Sequence, residues 1–194
     1  THVIMHADNN AIFEGTSITG ALVDITSGGN VSMTAGSINS ADGTINITAN
    51  NDISHKNGSI IAQNANLTAA NNIVLEDGSL IAANATLIAN NGLLNQVLAN
   101  GAGHEIDATN LTVKARQGVS LGSKENKLNN VYLDVSGGDI LIGNGNTGNN
   151  VLKVSIKSGV DTLIDDITIH NYNNKVNGET GNDIHVEGLL KTTG

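Results

Sequence analysis

The chain has 194 residues and a formal net charge of −9, with nine Lys and Arg against 18 Asp and Glu. That balance makes electrostatic binding to nucleic acid or to anionic lipid repulsive, and with no Cys there is no disulfide framework. Trp is absent and only Phe13, Tyr132 and Tyr172 are aromatic, which argues against a wide globular core and for a thin body packed with Ala, Ile, Leu and Val.

There is no Pro and there are 23 Gly, so turns must rely on Gly and Asn, which either tolerate a left-handed backbone or cap it with a side-chain amide. No apolar run approaches the roughly 20 residues that span a bilayer, so membrane insertion is not expected. Thr1 to His6 shows neither an initiating Met nor the layout of a signal peptide, and the chain reads as an internal piece of a longer one.

From the start, one unit repeats. Gly15-Thr16-Ser17-Ile18 is followed by Gly36-Ser37-Ile38, then by Gly58-Ser59-Ile60 and Gly78-Ser79-Leu80, the last three 22 and 20 residues apart. Between these blocks runs a second alternating segment: Ile45-Asn46-Ile47-Thr48-Ala49, Asn66-Leu67-Thr68-Ala69 and Thr86-Leu87-Ile88-Ala89, continued later by Asn110-Leu111-Thr112-Val113-Lys114-Ala115. Aliphatic residues at every other position put Leu67, Leu87 and Leu111 on the inside of a strand. A polar turn follows, at Gly28-Gly29, Asn50-Asn51, Asn71-Asn72, Asn90-Asn91, Gln117-Gly118 and Gly137-Gly138, and this column predicts a polar ladder along one corner. A third short strand, such as Ile73-Val74-Leu75, completes the unit.

Three short strands per 20 to 22 residues predict an all-β fold, a right-handed parallel β-helix (β-solenoid) of about nine coils, roughly 40 to 45 Å long. A leucine-rich repeat has an overlapping period, echoed by Leu67-Thr68-Ala69-Ala70-Asn71-Asn72-Ile73. Its convex side, however, needs a helical or 3₁₀ segment, and these units are strand-like throughout. Residues 1–92 are expected to form regular coils, 93–105 a loop insertion bulging from a corner, and 106–194 a second, less regular set of coils. Charge changes at the same place: Lys56 is the single basic residue before residue 101, and eight follow.

The Gly-Ser-Ile-x-Ala, Asn-Leu-Thr-Ala and Asn-Asn-Ile-x-Leu blocks resemble the shaft repeats of filamentous haemagglutinin-like adhesins of two-partner secretion. Gly118-Val119-Ser120-Leu121-Gly122 with Asn126-Lys127-Leu128, then residues 131–135 and Gly137-Gly138-Asp139-Ile140, also look like a block of such exoproteins. The resemblance covers most of residues 15–142 and concerns a style of repeat. It implies a secreted or bacterial cell-surface location, a long right-handed rod, and roles in adhesion, contact-dependent antagonism or surface coating. The Asn-Pro-Asn motifs of that family's secretion domain are absent from a chain without Pro, so this piece resembles shaft rather than secretion signal.

β-Helices also host polysaccharide lyases and hydrolases, and Glu76-Asp77, Asp161 and Asp165-Asp166 are the acids that a paired-carboxylate site would use. Lyase chemistry wants clustered acids with Ca²⁺ and a nearby base, yet Arg116 is the sole Arg and is distant in sequence. Solvated turn acids are therefore the expectation, with no catalytic residue, cofactor or metal site and no enzymatic activity. Gly178-Glu179-Thr180-Gly181-Asn182-Asp183 only echoes a Ca²⁺-binding nonapeptide, because Glu179 replaces a Gly and His185 stands where an aliphatic residue belongs. His2 and His6 share a strand face about 13 Å apart, too far for one metal. Asn30, Asn46, Asn57, Asn66, Asn84 and Asn110 each open an Asn-x-Ser/Thr sequon, a pattern that the alternation of the repeat itself generates, as it does the outward Thr48, Thr68 and Thr112.

The expected function is thus a rigid structural shaft of a large surface protein, with a host- or cell-surface glycan or protein as possible partner. Neighbouring coils of the parent chain, and end-to-end or lateral self-association, are the other expected contacts. The alternative is a carbohydrate-binding or polysaccharide-degrading β-helix.

Overall fold

The computed structural model describes residues 1–99, 102–145, 152–157, 163–171 and 184–187. Among them there is no helix, and every pairing between successive coils is parallel. The chain is a β-solenoid of about seven turns, fewer than the nine expected. The shortfall follows from coil length. Equivalent residues lie 20 or 22 apart in the early coils, as from Asp24 to Asn46 and Asn46 to Asn66, but Asn84 and Asn110 are 26 apart and Val154 and Val186, paired further along the same ladder, 32 apart.

Each coil has three faces. The first runs from His2–Ala7 to Leu22–Ser27, then through residues 44–49, 64–69, 84–89, 110–115 and 130–135 in continuous register. The second stacks residues 11–14, 31–34, 53–56, 73–76 and 94–97. The third stacks residues 16–19, 36–39, 58–61 and 79–82 upon one another and on the Glu105–Ala115 strand. In three coils the second, third and first faces form one unbroken strand, as in Ile53–Ala69, so the corners between them bend without leaving the ladder.

Alternation fixes what lies inside. On the first face Ile25, Ile47, Leu67, Leu87, Val113 and Leu133 form one buried column, beside Val23, Ile45, Ala65, Ala85, Leu111 and Val131. Leu67, Leu87 and Leu111 are fully buried, as the pattern predicted. Where the first face turns into the polar corner the column narrows to Ser27, Ala49, Ala69, Ala89 and Ala115, all buried, because only small side chains fit where two walls converge. Of the described Phe and Tyr residues, Phe13 is half-buried and Tyr132 exposed, so the hydrophobic core is filled by aliphatic residues.

Outward amides tie the coils together. Asn84 donates to Asn64 at 2.9 Å, Asn110 to Asn84 at 2.9 Å and Asn130 to Asn110 at 3.0 Å. A parallel row runs from Asn66 to Asn46 (2.8 Å) and from Asn46 to the Asp24 carboxylate (2.5 Å). At the polar corner the side-chain oxygens of Asn10, Asn30, Asp52 and Asn72 each accept the backbone N–H of a residue one coil on, at 2.8 to 3.1 Å. The predicted corner ladder therefore forms by capping. None of the Asn pairs there takes a left-handed backbone, although Gly118 and Gly138 of the same column do have positive φ; at the opposite corner that conformation falls on Gly15, Ala35, Asn57 and Asp77, with φ between 47° and 57°.

The expected loop over 93–105 is corrected in part. Residues 94–97 continue the second face, paired with residues 73–76 below, and Leu94 and Asn95 pair with Val119 and Ser120 above. The extra residues are confined to a tight antiparallel hairpin in which Leu98 faces Gly103 and Ala99 faces Ala102. Leu94 had been free to join the core because it occupies the inward position held one coil earlier by Ile73.

Candidate functional site

Two features interrupt the monotony of the stack, one inside the tube and one outside it. Inside the tube, the inward position taken by Met33 and Leu75 in neighbouring coils is His55, and the same column ends on Gln96. His104, the residue that leads out of the hairpin, is turned inward and wholly buried. The Nδ1 of His55 lies 2.7 Å from the Nε2 of His104, with the rings edge to face at 70°.

Burial holds both imidazoles neutral. It lowers His55 to about 4, and together with the neighbouring His55 it lowers His104 to about 3. The remaining nitrogen of His104, Nδ1, is buried, with the Glu105 backbone as its polar neighbour. A shared proton satisfies one nitrogen of each ring.

Above the pair, amide side chains take over the work of a missing strand. Gln96 donates to the His104 carbonyl and to Asn126 (2.8 Å), and its oxygen accepts the Ser123 N–H at 2.9 Å. Asn126 accepts the Ile106 N–H at 3.0 Å and donates to the carbonyls of Leu121 and Gly143 at 3.0 and 3.2 Å. Asn144 then accepts the Leu128 N–H at 2.8 Å. Residues 122–126 lie outside any strand, so their corner would expose backbone groups to an apolar interior. The buried amides satisfy them instead.

Outside the tube, where the second face meets the polar corner, Leu93, Asn95, Gln117, Ser120, Asp139 and Leu141 line an open groove of about 400 Å³. One carboxylate, two amides and a hydroxyl flank a floor with the exposed Leu93 and the half-buried Leu141. Groups of this kind hydrogen-bond hydroxyl-rich ligands, and the volume lies in the range of small-ligand sites. Asp139 is the one titratable side chain lining the groove.

The acids considered from sequence do not meet there. Glu76 is paired with Lys56 at 2.6 Å on the outer surface, and Asp77 is a left-handed corner residue. Asp165 and Asp166 belong to the strand Leu163–Asn171, their side chains lying outside the described residues, as do Asp161 and the 178–183 segment. No group of three or more His, Asp or Glu among the described residues is placed to hold a metal ion. His2 and His6 are both exposed on one strand, His6 meeting Asp8 at 3.3 Å. Of the sequons, Asn46, Asn66, Asn84 and Asn110 spend the amide nitrogen on the ladder to the preceding coil, whereas Asn57 stands exposed at the left-handed corner.

The buried pair was not found by reading the sequence, although a signal existed. His55 occupies an inward position in a strand whose next copy has Leu75 there, and a titratable group in an aliphatic column is an anomaly that needs a partner. Compared with protein-family models, with curated proteins and with solved structures, the chain matches none. Function is therefore argued from the molecule itself.

Proposed function

We propose that this chain is a structural shaft segment of a large secreted or bacterial cell-surface protein, similar in role to the rods of haemagglutinin-like adhesins, and not an enzyme. The observation that supports this reading is the uniform coil-to-coil register, with the same residues stacked and the same amide ladders repeated on the outside. Each coil then adds about 4.8 Å of rise, and stability depends on nearest neighbours. Such a body gains length without widening, which is what a spacer needs in order to hold another module away from a surface.

The groove favours a second reading, a carbohydrate-binding face on the same rod. In that case a glycan, or a host- or cell-surface protein, would be the partner, seated between Leu93 and Leu141 with Asp139 as the main hydrogen-bond acceptor. Both readings face one experiment: the folded chain is applied to an array of glycans and host-surface proteins, with uronate cleavage assayed on the same array. Absence of binding supports the spacer. Specific binding lost in Asp139→Ala supports the groove, and cleavage of any glycan overturns both.

A further inference from the structure

We propose that the buried His55–His104 contact is an acid-released latch, which pins the Leu98–Gly103 hairpin to the tube when both rings are neutral and lets it go under mild acid. The latch is built between distant parts of the chain, 49 residues apart. Gln96 also holds the His104 backbone, and from Glu105 onward the chain is back in the ladder on Ser79 and Leu80, so the imidazole contact is what ties the His104 side chain itself into the tube.

The surroundings make the contact sensitive to protons. His55 is 2% exposed and His104 fully enclosed. Among the described residues the other buried polar side chains are Ser27, Ser40, Gln96, Ser123, Asn126 and Asn144, none of which can carry a compensating charge. The charged groups on the elements packed around the pair face outward and are engaged elsewhere or solvated. Lys56 pairs with Glu76, Glu105 pairs with Lys127 at 2.6 Å, Asp77 is exposed at its corner, and Asp107 lies half-buried on the outer side of its strand. An imidazolium formed inside would have no counter-ion, and a second would face the first across the same 2.7 Å, donor against donor.

The sign follows from linkage. Each ring is neutral in the closed form well below the pH at which it takes a proton in the open form, where it behaves as an ordinary histidine near 6.5. The open form therefore binds more protons between about pH 4 and 6.5, and closure weakens as pH falls through that window. By pH 5 each ring favours opening roughly 30-fold, and the two together on the order of 10³-fold. The other histidines with described surroundings, His2, His6 and His170, are exposed.

Hydrogen exchange of the intact chain between pH 7.5 and 5, corrected for the intrinsic exchange rate, tests this. The expected result is an increase in opening of residues 94–106, on the order of 10³-fold, while the first-face strands at 22–27 and 44–49 stay protected. His104→Leu should reduce the effect to roughly the 30-fold of one ring or less. Should that variant not fold, the wild-type imidazole resonances decide the matter, because the latch requires that neither buried ring titrates near 6.5 in the folded chain. Acid-induced exchange spread evenly over all coils, or a buried ring titrating at its ordinary value, would overturn the proposal.

Discussion

Replacing Leu67 by Asp is the most searching perturbation of this architecture. Leu67 is fully buried, stacked between Ile47 below and Leu87 above. Removing its side chain alone, as in Leu67→Ala, should cost about 2–5 kcal/mol, counting lost transfer energy and the cavity left in a column that cannot collapse. The carboxylate adds a second cost, because the neighbours stacked on Leu67, Ile47 and Leu87, are aliphatic and offer it no hydrogen-bond donor. A buried carboxyl without a donor is driven to take a proton, and a rise of about 3 units in its titration adds about 4 kcal/mol at neutral pH.

The sum, about 6–9 kcal/mol, rivals the whole stability of an ordinary domain. Because the folded form of Leu67→Asp binds its proton more tightly than the unfolded form, the extra cost is fully present above the raised value and fades as pH falls toward 4. Urea denaturation followed by circular dichroism should place Leu67→Asp well below Leu67→Ala at pH 8, with the gap closing at pH 4. The acid effect of the buried histidines is common to both and cancels in the comparison. If Leu67→Asp unfolds within about 1 kcal/mol of the wild type, the inward column as described here is wrong.

Three further outcomes are expected. Asn84→Ala should lower stability by about 1–2 kcal/mol in thermal or urea denaturation, since the Asn84 amide both donates to Asn64 and accepts from Asn110. Gly78→Ala should be far more damaging than Gly15→Ala by the same measurement. At Gly78, with φ of 93°, a Cβ would land on the Gly58 carbonyl oxygen, whereas at Gly15 it meets nothing within 4 Å and only the left-handed backbone cost of about 1 kcal/mol remains. Lys56→Gln should leave the unfolding midpoint unchanged in low and high salt, because its pairing with Glu76 is at the surface.

Much of this fold was legible because side-chain period and coil period are independent signals that agree. The two-residue alternation in Asn66-Leu67-Thr68-Ala69 marks the inside, and the return of Gly-Ser-Ile marks the coil. The number of turns was less legible, since it assumed that late coils keep the early length, and the hairpin at 98–103 breaks that assumption. The strand at 94–97 was hidden for a related reason: Asn95 and Gln96 look like loop residues until the register places Gln96 inside, where the His104 carbonyl and Asn126 receive it. Corner chemistry was half-legible. Asn and Gly mark turns equally well, but which corner goes left-handed depends on how the chain must bend to stay in its ladder, and that is a property of three dimensions. The His55–His104 contact joins residues that no local pattern relates.

The hairpin also separates two quantities that are fixed together in most β proteins. Strands before and after it remain in register, from Asn84 to Asn110 on the first face and from Leu94 to Val119 on the second, although the coil between them is longer. Perimeter and height are thus independent variables in this molecule. Chain can be threaded in at a corner, as an ornament on the outside of the column, without changing the pitch of the stack. A lineage of such proteins can therefore vary its surface one corner at a time while the load-carrying ladder stays as it is.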